Sequence, residues 1–198
     1  MNKKTKVMLC LLIITTFITG CAKQEAPLVE TEQDISYQST EVNPIESLVL
    51  NKDDVPPGWD LVYSEKTAEE DALVTDIEWG WKGEYIVEFE DDAGDYLYNL
   101  VIIYSDGGAQ ESLEASKFTE PELISDWDLE IVYEALPKLD IGDDNFFYKE
   151  TTTFFEDNST EEGYCIDFIM GEIYESVCSP NQAMLVMLSK KLEAKISS

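Results

Sequence analysis

The sequence contains no histidine and no arginine, and its thirteen basic residues are all lysines. Without histidine there is no Ser-His or Cys-His nucleophile pair, no imidazole-bound metal and no general base that titrates near neutrality. Without arginine there is no bidentate clamp for a phosphate or a carboxylate. These absences exclude the histidine-dependent hydrolases and the arginine-based anion sites.

Negative charge dominates what is present. The 42 acidic residues outweigh the lysines and give a formal net charge of −29. Because nucleic-acid binding depends on neutralising phosphates, we expect no nucleic-acid partner. The acids are spread along the whole chain, which favours a role in solubility at an exposed surface. The alternative is attraction for cations or for a basic partner.

The N-terminus has the pattern of an export signal. A basic start, MNKKTK, is followed by the apolar run VMLCLLIITTFITG and then by Cys21. The residues Ile18-Thr19-Gly20-Cys21 resemble the lipobox of prokaryotic lipoprotein precursors. That resemblance implies a signal peptide over residues 1–20, a lipid on Cys21 and an anchored location at the cell membrane, facing outside the cytoplasm. An ordinary secretory signal or a membrane anchor, with Cys21 incidental, is the alternative.

The composition changes after the apolar run. Residues 22–43 are rich in Glu, Gln, Ser and Thr and show no hydrophobic periodicity, so together with the lipidated Cys21 they predict a disordered tether over residues 21–43. The remaining residues, 44–198, are enough for one globular domain.

Hydrophobic patterns in this domain predict mostly strands. Residues 84–89 and 96–104 alternate around an acidic turn and indicate an antiparallel hairpin. Residues 59–63 predict a strand with Trp59, Leu61 and Tyr63 on one face. Further strands are expected over 129–135 and 146–155 and in a Cys-bearing hairpin. Helices are expected at about 43–50, 67–77 and 109–118 and, as the last element, at 181–196.

This succession of strand pairs and helices predicts an α+β fold. We expect a single antiparallel sheet of about five to seven strands, with helices packed on one face and a C-terminal helix. The order of VPPGW before a first strand, IGDDNFFY before a later strand, a hairpin and a final helix is similar to extracytoplasmic α+β domains of the PsbP-like or LpqN-like kind. The resemblance covers residues 45–198 and implies a non-catalytic or binding module exposed in the envelope.

Carboxylate clusters are the first candidates for chemistry. Acid-rich segments such as 88–92 and 126–130 could supply the pair that a glycosidase needs, but with 42 acids such pairs arise by chance. The segments 90–95 and 140–145 could hold Ca²⁺, yet neither matches a twelve-residue calcium loop, and turn chemistry explains them. We expect no catalytic residue, no metal and no cofactor.

Aromatic and modification sites complete the candidates. Trp79 and Trp81, read as residues of one strand, would share a face. If that face is core they are structural, and if it is exposed they form a candidate ligand platform for a sugar ring or an apolar partner. Asn158 begins an Asn-Ser-Thr sequence that fits a glycosylation acceptor.

Export gives the remaining cysteines a role. With Cys10 in the signal and Cys21 lipidated, Cys165 and Cys178 are the only pair left. If residues 171–172 form a two-residue loop, counting outward brings the two cysteines opposite each other at a non-hydrogen-bonded site, which suits a disulfide. A metal site lacks further ligands, and a redox bridge is the minority alternative.

These inferences predict a membrane-tethered extracytoplasmic binding or interaction module without catalytic activity. Its expected partners are the membrane, through the lipid, and a protein or carbohydrate ligand. The alternatives are an envelope hydrolase that uses a carboxylate pair and a structural envelope component.

Overall fold

The computed structural model describes residues 45–105, 107–118, 121–125 and 128–198. The signal, Cys21, the tether and Trp127 lie outside these ranges. The strands of the described residues form one antiparallel sheet in the order β1-β2-β3-β8-β7-β6-β5-β4. They are β1 (Trp59–Lys66), β2 (Gly83–Asp91), β3 (Tyr96–Ile103), β4 (Glu122–Ser125), β5 (Leu129–Ala135), β6 (Asp144–Phe154), β7 (Ser159–Met170) and β8 (Ile173–Ser179).

The α+β class and the single antiparallel sheet are therefore confirmed, but the expected five to seven strands were too few. The sheet has eight strands in the described residues. The missed strand is β4, which is only four residues long and mostly exposed. A short edge strand without an alternating apolar face gives almost no signal in sequence.

Three α-helices and two short 3-10 turns accompany the sheet in the described residues. The turns are Ile45–Ser47 and Glu69–Asp71, and the helices are α1 (Val74–Glu78), α2 (Gly108–Ser116) and α3 (Gln182–Ile196). The helix expected at 67–77 is broken because Thr67 bonds to β2 instead of capping a helix. Its backbone N–H donates to the Glu84 carbonyl at 3.1 Å and its hydroxyl to the Glu84 carboxylate.

The sheet is covered on both faces, so the expectation of helices on one face was wrong. On the first face, Leu185, Leu188 and Leu192 of α3 pack in a large apolar cluster with residues such as Phe89 and Phe168. On the second face, Ala109 and Leu113 of α2 pack with a smaller cluster, whose other buried members are Ile102, Tyr104, Phe146, Ile169 and Tyr174. The central strands carry apolar residues at both odd and even positions, which is typical of strands buried on both sides.

A bulge in β1 changes which face one aromatic side chain occupies. Leu61 lies opposite Phe89, whereas Tyr63 lies opposite Glu88, so the register shifts by one residue between them. An extra residue in one strand reverses the alternation beyond it. The expected common face for Trp59, Leu61 and Tyr63 was therefore wrong, because Tyr63 lies on the second face.

Candidate functional site

The two candidate tryptophans do not lie in a strand. Trp79 is the C-cap residue of α1, and Trp81 precedes β2, with Gly80 between them at a φ of 86°. The alternation argument therefore does not apply to them. Both indoles are partly buried and pack against the second-face cluster. This packing favours structural roles, and the ligand platform stays a prediction.

The Cys165–Cys178 disulfide is present where the hairpin count placed it. Met170 pairs with Ile173 across the Gly171-Glu172 loop, and Cys165 pairs with Cys178 further along β7 and β8. The two Cα atoms lie 4.1 Å apart, as expected for a close cross-strand pair. The bridge therefore staples two central strands of the sheet on its second face.

The acidic turns use their side chains locally. The Asp91 Oδ1 atom accepts hydrogen bonds from the backbone N–H groups of Ala93 and Asp95 at 2.9 and 3.0 Å. Asn145 donates from Nδ2 to the carbonyls of Leu139 and Ile141, each at 2.8 Å. These bonds fix the turns, as side-chain oxygens and amides commonly do in Asx-type turns.

Asn158 lies in the exposed turn between β6 and β7. It has a φ of 54°, which asparagine tolerates better than most residues. The backbone therefore explains an asparagine at this position, and glycosylation of it stays a prediction.

A row of side chains across the second face forms the most distinctive surface. From β1 to β6 the row consists of residues paired on neighbouring strands: Tyr63, Glu88, Tyr98, Cys178, Cys165 and Tyr148. Three strand spacings separate the Cα atoms of Tyr98 and Tyr148, which is about 14 Å. Between these two long side chains lies only the short cystine.

The next row has the same low centre. Ser176 and Asp167 lie between Leu100 and Phe146 on the neighbouring strands. We call this region the tyrosine trough, because short side chains at its centre lie between longer ones on the flanking strands. Its floor and walls are formed by six residues, with Cys165, Asp167, Ser176 and Cys178 as the floor and Tyr98 and Tyr148 as the walls.

The two ends of the trough differ. At the β7 end, a Cβ atom placed on Gly163 would meet nothing within 4 Å, and Glu150 is the β6 residue paired with Gly163. At the other end Tyr174 of β8 closes the floor. The last turn of α2 lies over the floor at this end, since the Ser116 hydroxyl is close enough to the Asp167 carboxyl to lower its pKa through a hydrogen bond. The trough is therefore open at Gly163 and closed beneath α2.

Asp167 is the unusual residue of the trough. Only 3% of its surface is exposed, and its Oδ1 atom has no hydrogen-bond partner among the described residues. Burial raises its pKa to about 6, although the hydroxyls of Ser176, Ser116 and Tyr174 act in the opposite direction. Desolvation therefore outweighs hydrogen bonding, and the group still ionises just below neutral pH.

Further acids and phenols surround it. Burial raises the pKa of Glu84, Glu88 and Glu150, which belong to the second face. Burial is also the largest cause that raises the pKa of Tyr98 and Tyr148, followed for Tyr98 by Glu84 and for Tyr148 by Asp167. The phenols therefore stay protonated at neutral pH, and the Tyr148 ring stacks on Phe146 with ring centroids 5.5 Å apart.

The sequence did not single out Tyr98 and Tyr148. Alternation within YLYNLVII and DNFFYKE could have assigned each to a face of its own strand. Their relation to the cystine depends on β3 pairing with β8 and β6 with β7, of which only the second pair is adjacent in sequence. Long-range strand order of this kind is not encoded in local periodicity.

No family model, no curated protein and no solved structure matches this chain. Across the ranges given above, none of the helices is both long enough and apolar enough to span a membrane.

Proposed function

We propose that this chain is a lipid-anchored extracytoplasmic binding module without catalytic activity, and that the tyrosine trough is its ligand surface. The observation that supports the binding role is the low cystine floor between Tyr98 and Tyr148. Concave surfaces lined by aromatic side chains with a few polar groups are typical of ligand sites. The resemblance to PsbP-like and LpqN-like envelope domains is compatible with this role.

The anchoring part of the proposal depends on Cys21 and is tested separately. In a bacterial host, the full chain should fractionate with membranes and carry a lipid on Cys21. The Cys21→Ala variant should lose the lipid and remain unprocessed at that position. Mass spectrometry of the N-terminal peptide is the measurement, and an unmodified Cys21 in membrane-bound protein would contradict lipid anchoring.

The binding part is tested by titrating the full chain with two probes. One is a neutral tetramer of N-acetylglucosamine and the other is the peptide Gly-Gly-Lys-Gly-Gly. Tyrosine ring signals in the NMR spectrum are the readout. At least one probe should shift the signals of Tyr98 and Tyr148, and the double variant Tyr98→Ala, Tyr148→Ala should abolish binding measured by calorimetry while the sheet stays folded.

The matched control is the pair Tyr85→Ala and Tyr164→Ala on the first face of the sheet. Each of these residues is partly buried against the first-face cluster, so the control changes residues of the same type. It should leave probe binding unchanged. A probe that binds without perturbing Tyr98 or Tyr148 would contradict the assignment of the trough as the ligand surface. If neither probe binds, both this assignment and the binding role are contradicted.

A carboxylate-pair hydrolase is the second candidate, favoured by one observation. The raised pKa of Asp167 is the property that a general acid needs. The backbone of Glu88 lies three strands and two residues in register away, so its Cα atom is about 16 Å from that of Asp167, whereas the carboxyl groups of glycosidases lie about 5–9.5 Å apart. Release of sugar from the tetramer that Asp167→Asn abolishes would favour the hydrolase over the binding module.

A further inference from the structure

The negative charge of Asp167 is not balanced by the protein. Buried carboxylates normally have a cation or several hydrogen-bond donors, because an unpaired buried charge is costly. Three hydroxyl groups act on Asp167, but its Oδ1 atom has no hydrogen-bond partner in the described part of the chain. A ligand that supplies a positive donor would complete this site.

The lysines of neighbouring elements are engaged elsewhere. Lys117, which follows α2, donates to Glu114 at 2.7 Å and to Asp144 at 3.1 Å. Lys149 of β6 donates to Glu162. Glu84, Glu88 and Glu150 meanwhile add negative charge on the second face, where acids in a low-dielectric concavity concentrate the field and attract cations.

The shape of the trough limits what can reach the carboxylate. Cys165 and Asp167 are 4% and 3% exposed, so little of the floor is open to solvent. Tyr98 and Tyr148 lie on the two strands that flank the cystine, three strand spacings apart. A slender cation between them would be attracted by the faces of their aromatic rings.

A metal ion fits this site less well. Calcium takes six to eight oxygen ligands and usually several carboxylates. Within the described residues, no group of three or more acidic or cysteine side chains is placed to hold a metal. One carboxylate with hydroxyl groups and aromatic walls suits an organic cation better than a hard metal ion.

We infer that the tyrosine trough binds a primary ammonium group on an unbranched alkyl chain, with the Asp167 carboxylate as counter-ion and Tyr98 and Tyr148 as aromatic walls. The ligand enters from the Gly163 end, because α2 closes the other end. The inference depends on the proposed binding function, since it assigns a ligand class to the same surface. A free alkylamine and the lysine side chain of a peptide share this chemistry.

The test compares n-pentylamine with n-pentanol on the full chain at pH 7.5, followed through the ring signals of Tyr98 and Tyr148. The two probes have nearly the same shape, and only the amine is charged. Pentanol should bind at least about 30-fold more weakly, as expected for loss of one partner of a buried charge pair. The peptide Gly-Gly-Lys-Gly-Gly distinguishes the sources, because tighter binding of the peptide than of pentylamine assigns the site to lysine side chains.

Two variants separate the carboxylate from general effects. Asp167→Asn should weaken pentylamine by about 30-fold. Glu175→Gln changes a buried carboxyl whose side chain lies on the opposite face, bonded to Asn99, so it should leave the affinity within about twofold. Tyr98→Ala should weaken pentylamine by about threefold to tenfold through loss of the cation–π contact.

A pH titration of the unmodified chain keeps the test valid if Asp167→Asn does not fold. Pentylamine affinity should fall as pH drops through about 6, where Asp167 takes up a proton. The groups that face Asp167 are hydroxyls: Tyr174 and Ser176 of β8, Ser116 of α2 and the wall tyrosines. All of them keep their protons throughout this pH range. Glu84, Glu88 and Glu150 would also become protonated as the pH falls, which weakens the attraction for the amine in the same direction.

Three outcomes would overturn the inference: equal binding of pentylamine and pentanol, unchanged affinity in folded Asp167→Asn, or no binding of either amine probe. These outcomes are distinguishable from failure of the proposed function. If the neutral sugar tetramer shifts Tyr98 and Tyr148 while pentylamine does not, the ammonium ligand is wrong and the binding module stands.

Discussion

Two buried carboxyls on neighbouring strands show how differently the two faces of the sheet use the same chemical group. Glu175 of β8 lies on the first face and is fully buried, and its Oε2 atom accepts a hydrogen bond from Asn99 at 2.7 Å. Asn99 in turn accepts from the Leu50 N–H at 2.9 Å. Asp167 of β7 lies on the second face, among hydroxyl groups.

Their pKa values follow from these surroundings. Burial in the apolar cluster raises the pKa of Glu175 well above its ordinary value, despite opposing contributions from Asn99 and Lys195. Asp167, with three hydroxyl groups, has a pKa of about 6. Glu175 therefore keeps its proton well above the ordinary range of a carboxyl and links β8 to the segment at Leu50 through Asn99, while Asp167 is mostly ionised at neutral pH. The first face uses polarity for structure, and the second keeps a charge near an opening.

The largest contrast should come from the helices that cover the two faces. Leu185 of α3 and Leu113 of α2 are both fully buried, so Leu→Ala at each removes the same atoms. Each should cost about 2–5 kcal/mol in unfolding free energy, with Leu185→Ala at the upper end, because it packs in the larger apolar cluster. Chemical denaturation measures both.

The same pair of variants tests the separation of structure and binding. Leu113→Ala loosens the helix that lies over Asp167, so it should also weaken pentylamine binding, whereas Leu185→Ala should not. Equal losses of stability together with equal losses of binding would show that the two faces do not act as separate units.

Removing the disulfide should have the next largest effect. The Cys165→Ala, Cys178→Ala double variant should lose about 2–4 kcal/mol, because the bridge restricts the unfolded chain. The measurement compares denaturation of this variant with that of the oxidised parent. Reduction of the parent should reproduce the loss, and a parent that is insensitive to reductant would contradict a closed bridge.

The pH dependence of stability should distinguish the two carboxyls. A carboxyl whose pKa is raised on folding destabilises the folded state once it ionises, so its contribution is lost as pH rises. For Asp167 the loss runs from its ordinary pKa of 3.8 up to about 6 and amounts to at most about 3 kcal/mol. For Glu175, whose pKa burial also raises, the loss begins at its ordinary value of 4.5 and continues well above that value as pH rises.

Neutral variants make this contrast measurable. The stability difference between Asp167→Asn and the parent should grow between pH 4 and pH 6 and stay constant above. The difference for Glu175→Gln should begin to grow near pH 4.5 and continue over a range that extends well above that pH. Thermal or denaturant unfolding across pH 4–8 is the measurement, and identical profiles for the two variants would show that the faces do not differ in this respect.

Much of the fold could be predicted because its signals are local. The hairpin of β2 and β3 and the bounds of β5 follow from alternation, and the register of β7 with β8 follows from a two-residue loop. The bulge in β1 could not be predicted, since one extra residue leaves no mark in LVYSEK. The burial of both sheet faces left one sign in the sequence, the continuous apolar run LVII in β3. Because this run does not alternate, it does not show which elements cover the two faces.

The candidate site was predicted only in part, for a related reason. The cystine and the polar side of its hairpin, including Asp167, follow from local register. The trough also needs Tyr98, which reaches the cystine through the pairing of β3 with β8, strands separated by more than seventy residues. Burial of Asp167 depends on α2 crossing this face, and that is a tertiary contact which no spacing in the sequence specifies.

The smallest expected effect compares how the two covering helices begin. Asn181 caps α3 with its Oδ1 atom, which accepts hydrogen bonds from the N–H groups of Ala183 and Met184 at 2.9 and 3.1 Å. α2 begins instead at Gly107, which has a φ of 91° and no side-chain cap. Asn181→Ala should therefore cost about 1 kcal/mol.

Gly107→Ala should also destabilise, but through backbone strain, because alanine disfavours positive φ. Gly107→Asn, which tolerates that conformation better, should recover part of the loss in denaturation experiments. If Gly107→Asn is no better than Gly107→Ala, strain at this position is not what limits the start of α2.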